Sequence, residues 1–128
     1  MRIKMTSVCV HDPIEAFQFY TKILGFQELM YMPKALLAIV VSPEDADGAA
    51  LLLEPNSNPA SKTFQQAIYD QGLPVITFGT PDVQKEYERL SGLGVKFKKL
   101  PTTSEWGTDA VFDDGFGNYI QIHQDSTP

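Results

Sequence analysis

VCVHDPIEAFQFYTKILGF, Val8–Phe26, and ITFGTPDVQKEYERLSGLGV, Ile76–Val95, are two versions of one plan. Each reads as a short strand, a polar capping residue, a proline, a helix of about three turns and a Leu-Gly stop. Self-similarity at this scale decides the architecture before any single residue is weighed. It also directs attention to the space between the two copies as the place for a binding site.

The first copy predicts a helix capped by Asp12, with Pro13 at its first position and Glu15 three residues after the cap. Ile14, Phe17, Tyr20 and Leu24 recur at helical spacing and form one apolar face, and Gly25 supplies the positive-φ stop. The second copy predicts a Thr80 cap, Pro81, an apolar face of Val83, Tyr87, Leu90 and Leu93, and a stop at Gly94. Strand-like segments follow each helix: 26–32, 35–41 and 49–54 after the first, 95–100, 109–112 and 119–123 after the second. Ser42–Gly48 and Asp113–Asn118 read as turns by composition. Each half is therefore β-α-β-β-β. The expected fold is α+β: tandem βαβββ modules forming a curved mixed sheet around a cleft, with helices outside. Residues 1–128 make a single domain on this reading, with module one at about 3–55, a linker at about 56–74 and module two at about 75–125. The linker carries a short helix around 62–70, capped by Ser61 and closed by Gly72.

A chain of 128 residues is long enough for a core without staples, since roughly two-thirds of its unfolded surface is buried on folding. Apolar residues make up 43% and charged residues 20%, the balance of an ordinary globule. A net charge of −6 argues against phosphate-backbone binding, which needs clustered cations, so no nucleic-acid partner is expected. Lys96, Lys98 and Lys99 form one basic group and read as the guard of a strand edge. The single cysteine, Cys9, excludes an internal disulfide and suits a cytoplasmic location. No apolar run reaches the length of a membrane span or a signal core, so no membrane partner is expected.

Two βαβββ modules in tandem resemble the vicinal oxygen chelate superfamily, which includes glyoxalase I, extradiol dioxygenases and bleomycin resistance proteins. The resemblance rests on Val10, Asp12, Phe19-Tyr20, Leu24-Gly25-Phe26, Leu52-Leu53-Glu54-Pro55, Tyr87, Leu90, Gly94-Val95, and Asp114 with Gly117-Asn118. It implies a cleft between modules and, in most members, a divalent metal held by His, Gln or Glu on the strands that open and close each module. Carried over position by position, those four places are Met5, Leu52, Val75 and Gln121. A thioether is too soft for the usual ions, Leu and Val offer no donor, and a neutral amide is weak. The expectation is a member without a metal cofactor. The alternative is a site displaced by one alternation step, with Glu54, Gln121 and His123 around a divalent ion.

Strand alternation separates the faces further. Val8, Val10, Ile76, Phe78, Ile120 and Ile122 are expected beneath the helices. The cleft face then carries Met5, Ser7, Cys9, Leu52, Glu54, Val75, Thr77, Gly79, Tyr119, Gln121 and His123. That is an apolar surface with a few orienting polar groups, as small-molecule sites have. Trp106, in the flexible-looking segment PTTSEWGT, reads either as a stacking lid or as core or subunit contact. Ligand-binding candidates are thus Met5, Ser7, Leu52, Glu54, Val75, Thr77, Trp106, Tyr119, Gln121 and His123, with no catalytic residue assigned.

Three functions compete. The leading one is a glyoxalase/bleomycin-resistance-like protein that binds a small, partly apolar molecule without a catalytic metal. The second is a metal-dependent glyoxalase-like lyase or isomerase, in which the ion polarises a carbonyl oxygen and a carboxylate moves the proton. The third is an assembly role with the cleft filled by the chain's own side chains. A homodimer is expected from the resemblance.

Overall fold

The structure is a computed structural model and describes residues 1–127. The chain divides into two compact units, the first ending at Gln65 and the second beginning at Gln66.

The first unit runs β1 (Met5–Val10), α1 (Pro13–Gln18), β2 (Gln27–Met32), β3 (Leu37–Val41) and β4 (Ala50–Pro55). Its sheet has the order β1-β4-β3-β2, with β1 parallel to β4 and the other neighbours antiparallel. α2 (Pro59–Asp70) begins in this unit and ends in the next. The second unit continues with β5 (Pro74–Gly79), α3 (Val83–Gly92), β6 (Lys96–Ser104), β7 (Gly107–Asp113) and β8 (Tyr119–Asp125). Its sheet, β5-β8-β7-β6, repeats the first one's order and its single parallel pair. The α+β architecture and the duplicated βαβββ plan are therefore as the sequence indicates.

Asp12 caps α1 as expected, its carboxylate accepting from the backbone N–H of Ile14 and Glu15 at 3.1 Å. The helix does not stay α-helical to Gly25. It widens into a π turn over Phe19–Ile23, where Leu24 N–H reaches back to the Phe19 carbonyl. Thr21 Oγ1 donates to the Phe17 carbonyl at 2.7 Å inside this stretch. Val8, Val10, Ala16, Phe17, Tyr20, Ala38, Val40, Leu51 and Leu53 are buried between helix and sheet. The Phe17 ring stacks on Tyr31 at 4.0 Å. Each of the Val and Leu side chains contributes about 1.5–3 kcal/mol by leaving water.

The cap of α3 corrects the sequence reading. Asp82, not Thr80, accepts from the Lys85 N–H at 3.0 Å, while Thr80 Oγ1 accepts from Asp82 N–H at 3.4 Å. The next free N–H, of Val83, donates to Gln124 Oε1 on β8 at 3.0 Å. Val83 and Leu90 are buried, Tyr87 meets Phe97 edge-on at 4.8 Å, and Leu93 is exposed at the C-cap rather than part of the apolar face. Gly94 takes the positive φ of +90° that ends the helix.

α2 starts earlier than expected. Asn58 Oδ1 accepts from Ala60 N–H at 2.9 Å, so Asn58 fills the capping role assigned to Ser61. Within the first unit, Gln65 is a buried amide that donates to the Cys9 carbonyl at 2.8 Å and accepts from Asn56 Nδ2 at 2.9 Å. The β7–β8 turn is organised by buried Asp114. Its Oδ1 accepts from Phe116 and Asn118 N–H, and its Oδ2 from the Asn118 amide. The Asp114 and Gly117-Asn118 letters that carried the resemblance thus close the hairpin that aligns β8.

Candidate functional site

In each unit the helix covers one face of the sheet, and most of the residues expected to bind a ligand lie on strands whose other face is open. In the first unit, register places Met5 beside Ala50, Ser7 beside Leu52 and Cys9 beside Glu54, with Ile39 next to Leu52 on β3. Met5, Ser7 and Glu54 are exposed, while Cys9, Leu52 and Ile39 are half-buried. Met30 and Met32, cross-strand from Ile39 and Leu37, extend this apolar surface to the edge strand β2.

At the Met5 end the surface sinks into an open recess of about 600 Å³. Met5, Leu29, Ile39, Val41 and Ala50 supply its apolar lining, and the hairpin residues Ala46, Asp47 and Gly48 form one wall. Arg2 and Lys4 also line it. The Lys4 carbonyl accepts from Ala50 N–H at 3.0 Å, which prolongs the β1–β4 pairing, and Arg2 Nη1 donates to the Asp47 carbonyl at 3.1 Å. Sequence reasoning found Met5 but missed Arg2, Lys4 and the hairpin wall. Arg2 and Lys4 precede the first strand, so strand alternation gave no cue to them.

The second unit's helix-free face is more polar. Gln121 Nε2 donates to Thr77 Oγ1 at 3.2 Å, so two expected ligand-orienting groups pair with each other. Val75 falls in a register shift between Pro74 and Ile76, which removes it from the regular alternation assumed for it. Tyr119 stacks on Tyr69 at 4.4 Å with near-parallel rings, and Lys98 Nζ lies 5.1 Å from the Tyr119 ring centre. The Tyr69 hydroxyl donates to Asp113 Oδ2 at 2.6 Å. That bond to a carboxylate, with Tyr119 beside it, raises the Tyr69 pKa well above the usual phenol value, so the group stays protonated.

His123 pairs through Nδ1 with Asp109 Oδ1 at 2.5 Å and through Nε2 with Asp125 Oδ1 at 3.1 Å. The Asp109 hydrogen bond, more than the other carboxylate, raises its pKa above 6.5. Trp106 is 76% exposed at the tip of the β6–β7 hairpin. The segment around it is strand up to Ser104 and again from Gly107, a tight hairpin rather than the flexible stretch expected. The Trp106 backbone N–H donates to Ser104 Oγ at 3.2 Å.

Residues 2–122 match the family described as the Glyoxalase/Bleomycin resistance protein/Dioxygenase superfamily. The chain belongs to this superfamily. It is 49% identical over 126 residues to the uncharacterized protein YurT of Bacillus subtilis (strain 168), covering 97% of this chain and 99% of YurT. Among solved structures it is similar to UcmS2, with 25% identity, a TM-score of 0.80 and coverage of 96% and 97% of the two chains. It is also similar to TnmS3, an antibiotic-binding protein from Streptomyces sp. CB03234, with 28% identity, a TM-score of 0.74 and coverage of 98% and 97%.

Most members of a vicinal oxygen chelate family imply a metal, and the residues here do not fit one. Met5, Leu52 and Val75 give no hard donor at three of the four carried-over positions, and Gln121 is turned to Thr77. In the displaced set, both ring nitrogens of His123 face carboxylates. Among the described residues no group of three or more His, Cys, Asp or Glu is gathered as an ion would require.

Proposed function

We propose that this superfamily member binds a small, partly apolar molecule on the helix-free face of its first sheet, without a catalytic metal. The observation that carries the reading is the recess at the Met5–Ala50 end, where a methionine and aliphatic side chains occupy the place the resemblance gives to a metal ligand. A lining of aliphatic side chains flanked by charged groups, two of them cations, suits an organic ligand better than a metal ion. The likeness to TnmS3, an antibiotic-binding protein, supports the same class of activity. Ser7, Leu52 and Glu54 extend the proposed surface along β1 and β4. On the second sheet, Val75, Thr77, Tyr119, Gln121 and His123, with Trp106 at its hairpin tip, are proposed as a ligand surface in their own right.

The test is a fluorescence titration of EDTA-treated protein with N-phenyl-1-naphthylamine, a neutral probe that brightens in apolar surroundings. Saturable binding without metal is expected, weakened about tenfold or more by Met5→Glu, which sets a charge among apolar side chains. Absence of saturable binding, or binding only after a divalent ion is added, would sink the reading.

We also propose a cytoplasmic homodimer. β2 is an edge strand whose Leu29, Met30 and Met32 are each more than 40% exposed, an unusual load for a free edge. Sedimentation should give twice the 14.2 kDa chain mass, and a monomer at micromolar concentration would refute it.

A further inference from the structure

We infer that the recess in the first unit selects organic anions: an apolar body lies on Met5, Leu29, Ile39 and Ala50 while an acidic group meets Arg2 and Lys4. The inference rests on the binding reading above and adds the ligand's charge class. Its basis is a local reversal of sign. The chain carries −6 overall, yet two of the three charged residues lining this recess are cations. Neither Arg2 nor Lys4 makes a side-chain ion pair among the described residues. Arg2 spends one guanidinium nitrogen on a backbone carbonyl, which leaves other donors in its fork for an oxyanion. The Lys4 backbone is held in the sheet by Ala50, so its ammonium has a fixed base from which to reach the rim. Asp47 is the opposing charge in the same wall and sets a limit on the attraction.

An amphiphile with one acidic group matches this layout. The aliphatic floor has no hydrogen-bond donors for a polar body, and the cations stand at the lining rather than in a distant patch. An anion bound elsewhere on this acidic chain meets net repulsion, so binding of that class should depend on these two residues. Salt should weaken the interaction because the rim is exposed.

The experiment compares two naphthylamine probes on the full chain in EDTA: 8-anilinonaphthalene-1-sulfonate, which is anionic, and the neutral N-phenyl-1-naphthylamine. The sulfonate is expected to bind at least about five times more tightly at low salt and to lose that margin at high salt. Arg2→Gln with Lys4→Gln should weaken the sulfonate about tenfold and leave the neutral probe within twofold. Asp47→Asn should tighten the sulfonate about two- to threefold. All three substituted positions are exposed, and unchanged thermal midpoints check the fold. Equal affinity for both probes, or no response to the double substitution, overturns the anion class while the binding reading stands. Failure of both probes to bind overturns the two together.

Discussion

His123 shows how much of a residue's chemistry depends on its neighbours in space. In sequence it is one more letter on a terminal strand. In the structure Asp109 and Asp125 hold both ring nitrogens, and the raised pKa follows mainly from the Asp109 bond. A histidine whose folded pKa exceeds its unfolded value adds stability that is fully present below about pH 6.5 and is lost as pH rises through the folded pKa. Asp109→Asn should therefore lower the His123 pKa, read from the imidazole proton shifts in an NMR titration, and shrink the stability difference between pH 5.5 and 8. A value that does not move would show that the pair is not formed. Asp12 offers a second test at this scale. Two backbone N–H groups lose their acceptor in Asp12→Ala, and thermal or urea unfolding should register a loss of about 1 kcal/mol.

At the scale of elements, the apolar letters were readable and the exact ends were not. Val8, Val10, Ile120 and Ile122 are buried beneath the helices as alternation requires. The string Thr80-Pro81-Asp82 contains two residues able to cap, and only the geometry of the Asp82 backbone, extended at φ −150°, chooses between them. Asn58 and Ser61 posed the same ambiguity for α2. The Val75 bulge has no sequence mark, because an extra residue in one strand is set by pairing with the next. The Asp109 partner of His123 was hidden for a similar reason: both residues lie in expected strands, and only the β7–β8 register sets them opposite each other. Leu90 and Leu93 separate a real apolar face from an apparent one. Leu90→Ala should cost about 2–5 kcal/mol in urea unfolding because the site is 1% exposed. Leu93→Ala, at 54% exposure, should cost far less. Equal losses at both positions would contradict the packing described.

Over the whole molecule, duplication made the architecture legible and left the ligand obscure. The paired strand–cap–helix–glycine strings give the same sheet order in both units. Their opposite faces have diverged: aliphatic and methionine-rich in the first unit, hydrogen-bonded and charged in the second. A chain of this composition should hold no stoichiometric divalent metal after purification, checked by elemental analysis before and after EDTA. The most direct test of the account is a ¹H–¹⁵N NMR titration of EDTA-treated protein with N-phenyl-1-naphthylamine. Saturable shifts concentrated on Met5, Ile39, Val41, Ala50 and Leu52 are expected with no metal present. Shifts absent from these residues, or appearing only when a divalent ion is restored, would contradict it.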